Sequence, residues 1–244
     1  MASGSIDPMH QFEIHPIVSL QLGSYDISFT NSALFMVLSV TLITGFLVFS
    51  TRGRALVPGR WQSMAEMGYE MVANLLRDNV GSEGRKYFPF VFSLFMFILF
   101  GNIIGLIPGA FTFTSHIAVT FAMAIVIFLA VTVIGFARHG AGFLRLFFPH
   151  GAPLWTAVIL IPIELVSYLS RPISLSVRLF ANMVVGHVLL KVLGGFVIML
   201  GIFGIFPIGV LVGIQALELL VAALQAYVFT ILTCIYLHDA IHLH

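Results

Sequence analysis

The chain has 244 residues, of which 59% are hydrophobic and only 9% are charged. Soluble domains carry about 25% charged residues, so this composition excludes an ordinary soluble protein. The formal net charge is +1 without a basic cluster, which excludes nucleic acid as a partner, and the single cysteine, Cys234, excludes an intramolecular disulfide. We expect an all-α integral membrane protein whose residues 1–244 form a single polytopic domain in contact with lipid.

The first half of the chain predicts one spanning helix and one surface helix. Residues 1–28 form an N-terminal segment with no Lys or Arg, so we expect the first spanning helix, and no cleavable signal, to direct insertion. Residues 29–50 are uncharged and long enough to cross a membrane. Between 59 and 82, apolar and charged residues alternate with a helical period, which is typical of an amphipathic helix lying on the membrane surface.

The second half predicts four more crossings. Residues 87–107 and 117–137 are spanning runs. Residues 154–193 stay largely apolar, and as one helix they would be ~60 Å long against a hydrocarbon layer of ~30 Å. Either this helix breaks at Pro162 or Pro172, or it lies steeply across the membrane. We interpret residues 154–238 as a hairpin of two long, strongly tilted helices.

The basic residues predict the orientation. None of the 11 lies in the first 51 residues or between the second and third spans. Because Lys and Arg favour the cytoplasmic side of short loops, the N-terminus is expected outside. The surface helix and, after five crossings, the C-terminus are expected on the cytoplasmic side.

One polar stripe follows the first helix of the hairpin. Glu164, Arg171 and Arg178 are spaced by seven residues, which returns each to nearly the same helix face, and Asn182 lies one turn further. A charge at membrane depth costs several kcal/mol, so it indicates function. Arg171 is interpreted as mainly structural, reaching toward headgroups. Arg178 lies in mid-helix, where a guanidinium keeps its positive charge.

A second stripe follows the last helix, where Glu218 and Gln225 are seven residues apart and Tyr236 follows. Glu218 is either the ion-pair partner of a buried arginine or a carboxyl group that takes up and releases protons. His187 is either a core histidine or a proton relay. Asn102, in the second span, either packs helices through hydrogen bonds or takes part in transport.

The run from Ser174 to His187, SLSVRLFANMVVGH, resembles the central motif of the a subunit of F-type ATP synthase. The resemblance covers essentially the whole chain and extends to Glu164, Glu218, Gln225 and Asn102. Most bacterial members have a glutamate at position 187 and a histidine at position 218. The exchange here is similar to the mitochondrial and closely related bacterial form. At Gly105 some members carry an aspartate.

The resemblance implies a function in proton transport without catalysis by the chain alone. It implies a ring of c subunits as partner, with b-type stalk subunits and the rest of the ATP synthase, in a bacterial inner membrane. Arg178 would face the ring carboxyl groups and block leakage between two offset half-channels. The implied residues are Asn102, His187, Glu218 and Gln225 for the outer half-channel, Glu164, Ser174 and Tyr236 for the cytoplasmic one, and Asn182 beside the arginine.

Two other classes of membrane protein predict different sequence features. A proton- or sodium-coupled secondary transporter should show internal repeats, and we find none. A haem-bearing subunit needs paired histidines in spanning helices, yet only His187 lies deep in a predicted span. We expect no cofactor and no metal, and His10 and His15 are interpreted as solvated loop residues.

Overall fold

A computed structural model describes residues 13–19, 21–22, 25–26, 28–53, 57–107, 109–147 and 156–242. The helices are α1 (Asn31–Thr51), α2 (Arg60–Val80), α3 (Phe88–Gly105), α4 (Ile117–His139), α5 (Ala157–Leu200) and α6 (Ile205–Ile241). Among the described residues, five of these six helices, all except α2, are long and apolar enough to cross a membrane. This confirms the predicted all-α membrane fold. His10, Pro108 and the predicted hairpin start at residue 154 lie outside the described residues.

The segment before α1 contains short strands that the sequence did not predict. The strands are β1 (Pro16–Val18), β2 (Gln21–Leu22), β3 (Tyr25–Asp26) and β4 (Phe29–Thr30). β1 pairs antiparallel with β4 through an irregular register, and β2 pairs antiparallel with β3. Because Phe29 and Thr30 are used in this pairing, α1 begins at Asn31 and not at residue 29.

The amphipathic helix α2 is present close to its predicted bounds. Its buried side chains, Val72, Leu75, Leu76 and Val80, recur at helical spacing on one face. Gly81 ends the helix with a φ of +81°, a conformation that side-chain-bearing residues rarely adopt. A 3-10 segment, Ser82–Tyr87, then leads directly into α3. The position of α2 on a membrane surface stays a prediction.

The predicted hairpin consists of two long helices, and the turn falls at glycines. α5 has 44 residues and runs through Pro162 and Pro172 without a break. At 1.5 Å per residue it is ~66 Å long, about twice the hydrocarbon thickness. The chain turns in the 3-10 segment Gly201–Gly204, where Gly201 has a φ of +54°. Of the two alternatives, a helix broken at a proline is wrong, because both prolines stay inside α5. The tilt stays a prediction.

The chain forms two compact units, which share several helices. Unit 1 comprises Met1–Phe49, Met96–His116 and Leu179–Ala226, and unit 2 comprises Ser50–Phe95, Ile117–Arg178 and Tyr227–His244. Aromatic pairs join α1 to the end of α3 in unit 1, for example Phe46 with Phe100, whose ring centroids are 5.7 Å apart. In unit 2, α4 packs against α5 through Phe128 and Tyr168, whose centroids are 4.9 Å apart.

Candidate functional site

Unit 1 contains a row of buried polar side chains between α3, α5 and α6. Asn102 on α3 is fully buried, and its amide Nδ2 donates to the carbonyl oxygen of Ala222 on α6 over 3.3 Å. Asn182 is exposed on α5, and its Nδ2 donates to Oε1 of the buried Gln225 on α6 over 2.8 Å. The predicted polar stripes of α5 and α6 therefore meet at this amide pair.

Glu218 lies in the same row, packed against a glycine of the facing helix. Only 7% of its surface is exposed. A Cβ atom added at Gly186 on α5 would overlap one carboxyl oxygen of Glu218 and lie 2.8 Å from its Cδ. The absence of a side chain at position 186 is therefore what makes room for the carboxyl group of Glu218.

Three polar atoms of this row lack a hydrogen-bond partner within the part of the chain that the structure describes. They are Oδ1 of Asn102, Oε2 of Glu218 and Nε2 of Gln225. An unsatisfied buried polar group costs about 1–3 kcal/mol, and such groups are normally hydrated or functional. Their accumulation between helices that are otherwise apolar distinguishes this row from ordinary helix packing.

His187 is the fifth predicted residue in unit 1, and it lies at a cavity. The cavity has a volume of about 270 Å³ and is lined by His187 and Lys191 of α5, Gln215 of α6 and residues 105–107 at the end of α3. The ring nitrogen Nε2 of His187 is 3.0 Å from Oγ1 of Thr112. This cavity gives the interior of unit 1 an opening that is large enough for several water molecules.

Unit 2 contains a second polar cluster, centred on Arg171. Its guanidinium forms an ion pair with Asp239 of α6 at 3.0 Å. It also lies over the rings of Tyr168 and Tyr236, 5.3 and 4.8 Å from their centroids. The hydroxyl of Tyr168 is in turn 2.6 Å from Oγ1 of Thr132 on α4. Arg171 therefore has protein partners, in addition to the interaction with headgroups that the sequence suggested.

Of the remaining predicted residues of unit 2, Arg178 is close enough to Tyr236 to interact with it electrostatically. Arg178 and Ser174 are exposed on α5, and Glu164 is half-buried. Within the described residues of unit 2, Arg178 forms no ion pair with a carboxylate, and neither Glu164 nor Ser174 forms a side-chain hydrogen bond. Of the residues implied for the cytoplasmic half-channel, Tyr236 is the one that contacts a polar side chain of the cluster within the described residues, the guanidinium of Arg171.

Several residues of these clusters were missed by the sequence analysis. Gln215 and Asp239 each lie three residues from a predicted residue, Glu218 and Tyr236, so helical periodicity could have included them. Thr112 carries no such signal, because it lies in the turn between two helices. Gly186 could be recognised only from the helix that packs against it.

The comparisons with known proteins agree along the whole chain. The sequence profile of the family described as ATP synthase A chain matches residues 33–238. A protein of Paramagnetospirillum magneticum called ATP synthase subunit a is 67% identical over 245 residues, which cover 98% of this chain and 99% of that protein. The subunit a of Rhodospirillum rubrum is 63% identical, covering 97% and 99%. That of Mesorhizobium japonicum is 56% identical, covering 99% of both chains. The chain therefore belongs to the ATP synthase A chain family.

Proposed function

We propose that this chain conducts protons through the membrane sector of an F-type ATP synthase, by two offset half-channels that reach the carboxyl groups of a rotating c-subunit ring. The observation that carries the proposal is the row of buried polar side chains in unit 1. In the part of the chain that the structure describes, its atoms without a hydrogen-bond partner are Oδ1 of Asn102, Oε2 of Glu218 and Nε2 of Gln225. The chain is not itself catalytic, and its activity is that of the complex.

The outer half-channel is assigned to unit 1. The cavity at His187 supplies the entrance, and Glu218 lies against Gly186, the residue next to His187. Gln225 and Asn182 continue the row along α5 and α6. Water molecules bound to the unsatisfied atoms would complete a chain of hydrogen bonds, which is what proton movement through an apolar layer requires.

The cytoplasmic half-channel is assigned to Glu164, Ser174 and Tyr236. All three belong to unit 2, so each unit contains the residues of one half-channel. Glu164 supplies a titratable group, and Ser174 presents a hydroxyl on an exposed face of α5. Tyr236 is held in place by Arg171, which contacts its ring and is itself paired with Asp239.

Arg178 is assigned to the exchange between the half-channels and the ring. It is exposed on a helix that is apolar enough to span a membrane, and its neighbour Val177 is 43% exposed. Such a face suits a partner within the membrane, because a charge facing lipid is costly. A guanidinium attracts an ionised carboxylate and cannot lose its proton, so it separates the two half-channels without conducting.

The proposed function also implies a membrane, an orientation and a set of partner subunits. We place the chain in the bacterial inner membrane with its N-terminus outside and its C-terminus in the cytoplasm, because basic residues favour the cytoplasmic side. Its partners are the c-subunit ring, b-type subunits of the peripheral stalk and the remaining subunits of the ATP synthase.

The direct test is Arg178→Ala, measured as ATP-driven proton pumping in inverted membrane vesicles. Loss of pumping with a normal amount of chain in the membrane is expected. Arg60→Ala is the matched control, because Arg60 is an exposed arginine at the start of α2, outside the candidate spans. Pumping by Arg178→Ala at the wild-type rate would refute the proposal.

The two half-channels can be tested separately by cysteine labelling. The native Cys234 is buried and is first replaced by alanine. A cysteine at Gln215, which lines the cavity, should react with a membrane-impermeant reagent from the outer side. A cysteine at Glu164 should react from the cytoplasmic side only. Reaction of both from the same side would refute the assignment of two paths.

A further inference from the structure

Thr112 joins His187 to the end of α3 through one hydroxyl oxygen. The residue is 5% exposed and lies in the turn between α3 and α4. Its Oγ1 is 3.1 Å from the carbonyl oxygen of Gly105 and 3.0 Å from Nε2 of His187. Two polar groups therefore share one hydroxyl, which has a single proton to donate.

The chemistry of these groups fixes the direction of both hydrogen bonds. Gly105 is the last residue of α3, where carbonyl groups have no donor within the helix. A carbonyl oxygen can only accept, so the hydroxyl proton of Thr112 is donated to Gly105. The oxygen of Thr112 must then accept from His187, and Nε2 of that ring must carry a hydrogen. In a neutral imidazole, Nδ1 is then the acceptor.

Close packing holds Thr112 in this position. A Cβ atom added at Gly105 would lie 2.6 Å from both Cγ2 and Oγ1 of Thr112, so the threonine rests directly on the glycine backbone. A larger residue at position 105 would push the hydroxyl away from the carbonyl. Glycine at this position is therefore part of the same arrangement.

We propose that Thr112 is a positioning residue that holds His187 with its hydrogen on Nε2, so that the mobile proton is taken up and released at Nδ1 alone. A proton that reaches Nδ1 gives the imidazolium, and the same Nδ1–H bond breaks when the proton leaves. The Nε2–H bond stays intact, because the chain of hydrogen bonds beyond it ends at a carbonyl.

The consequence for transport rests on the proposed function, whereas the tautomer does not. The test therefore has two measurements on the assembled complex. In the first, this chain carries ¹⁵N-labelled histidine and the ring nitrogens are followed by solid-state NMR at neutral pH. The signal of His187 is identified by its loss in His187→Gln. The second measurement is ATP-driven proton pumping in vesicles.

Three variants of threonine separate positioning from packing. Thr112→Val keeps the shape but removes the hydroxyl, and it should give a mixture of tautomers and pumping about tenfold slower. Thr112→Ser keeps the hydroxyl and should restore the wild-type spectrum and most of the rate. Thr233→Val is the control, because Thr233 is also buried and bonds only to the carbonyl of Phe229 in its own helix.

Each outcome tests one part of the proposal: the tautomer of His187, the use of Nδ1 in transport, or the role of His187 in the proposed function. A wild-type His187 with its hydrogen on Nδ1, or a spectrum unchanged in Thr112→Val, overturns the assignment of the tautomer. The expected spectra with unchanged pumping in Thr112→Val overturn the use of Nδ1 in transport. Unchanged pumping in His187→Gln refutes the place of His187 in the proposed function and leaves the tautomer assignment standing.

Discussion

Replacing Gly186 by alanine should slow proton transport without preventing assembly. The added Cβ would overlap a carboxyl oxygen of Glu218 and lie 2.8 Å from its Cδ, where ordinary contacts begin at 3.4 Å. The carboxyl group must therefore shift by at least the difference, 0.6 Å. The carboxyl is the far end of a flexible side chain, so it can move at little cost in folding. A displacement of about 1 Å in a reacting group can reduce a rate up to about 100-fold, and we expect a 10- to 100-fold loss of pumping.

A matched glycine on the same helix supplies the control. Gly194 has no atom within 4 Å of an added Cβ, so Gly194→Ala should pump normally. Alanine also favours a helix over glycine by about 1 kcal/mol, which removes local helix destabilisation as an explanation at either position. Pumping is measured by fluorescence quenching in inverted vesicles and normalised to the amount of chain in the membrane.

A second substitution tests whether the effect passes through Glu218. Glu218→Asp shortens the side chain by one methylene and withdraws the carboxyl group from position 186. Combined with Gly186→Ala, it should pump faster than Gly186→Ala alone, a non-additive result that indicates direct contact. Pumping by Gly186→Ala within about twofold of the wild type would refute the reasoning, as would an equal loss in Gly194→Ala.

Two further predictions concern stability. Arg171→Lys keeps the charge beside Asp239 but loses the planar contact between the guanidinium and the ring of Tyr236. Because the ion pair is partly exposed, we expect the complex to lose about 1 kcal/mol of stability. The loss should be seen as a lower Tm of the detergent-solubilised complex, and an unchanged Tm would contradict it. His116 lies outside the spans and stacks on Phe111, and burial lowers its pKa from 6.5. Below pH 6.5 the unfolded state therefore binds more protons, so stability present above pH 6.5 is lost as the pH falls. His116→Gln should reduce the loss of Tm between pH 7.5 and about 5.5, and an identical loss would refute this role.

The sequence predicted what depends on composition and on periodicity within one helix. Long uncharged runs identified the spanning helices, and helical spacing placed Asn182 and Gln225 on stripes that the structure joins. The resemblance to the a subunit of F-type ATP synthase is confirmed by the family match, which decides against the transporter and haem alternatives.

Contacts between distant segments could not be predicted in the same way. Thr112 and His187 are 75 residues apart, and nothing local marks the threonine as a partner. The start of α1 was misplaced for the same reason, because the pairing of Phe29 and Thr30 with a strand before them is not local. The chain turns at Gly201, which adopts a positive φ, whereas Pro162 and Pro172, which suggested a break, lie inside the continuous helix α5. In a membrane protein, neighbouring groups can form hydrogen bonds with the backbone carbonyl that a proline leaves without a donor.

The exposed guanidinium of Arg178 also bears on how the complex is built. On a helix of this hydropathy, an arginine facing lipid costs ~2.5–3.5 kcal/mol by insertion measurements. A copy of the chain left alone in the bilayer would carry this penalty, whereas under the proposed function a copy docked against the carboxyl groups of the ring would not. On that proposal, the same side chain would disfavour a subunit without its partner roughly 100-fold, and so favour assembly of the complex.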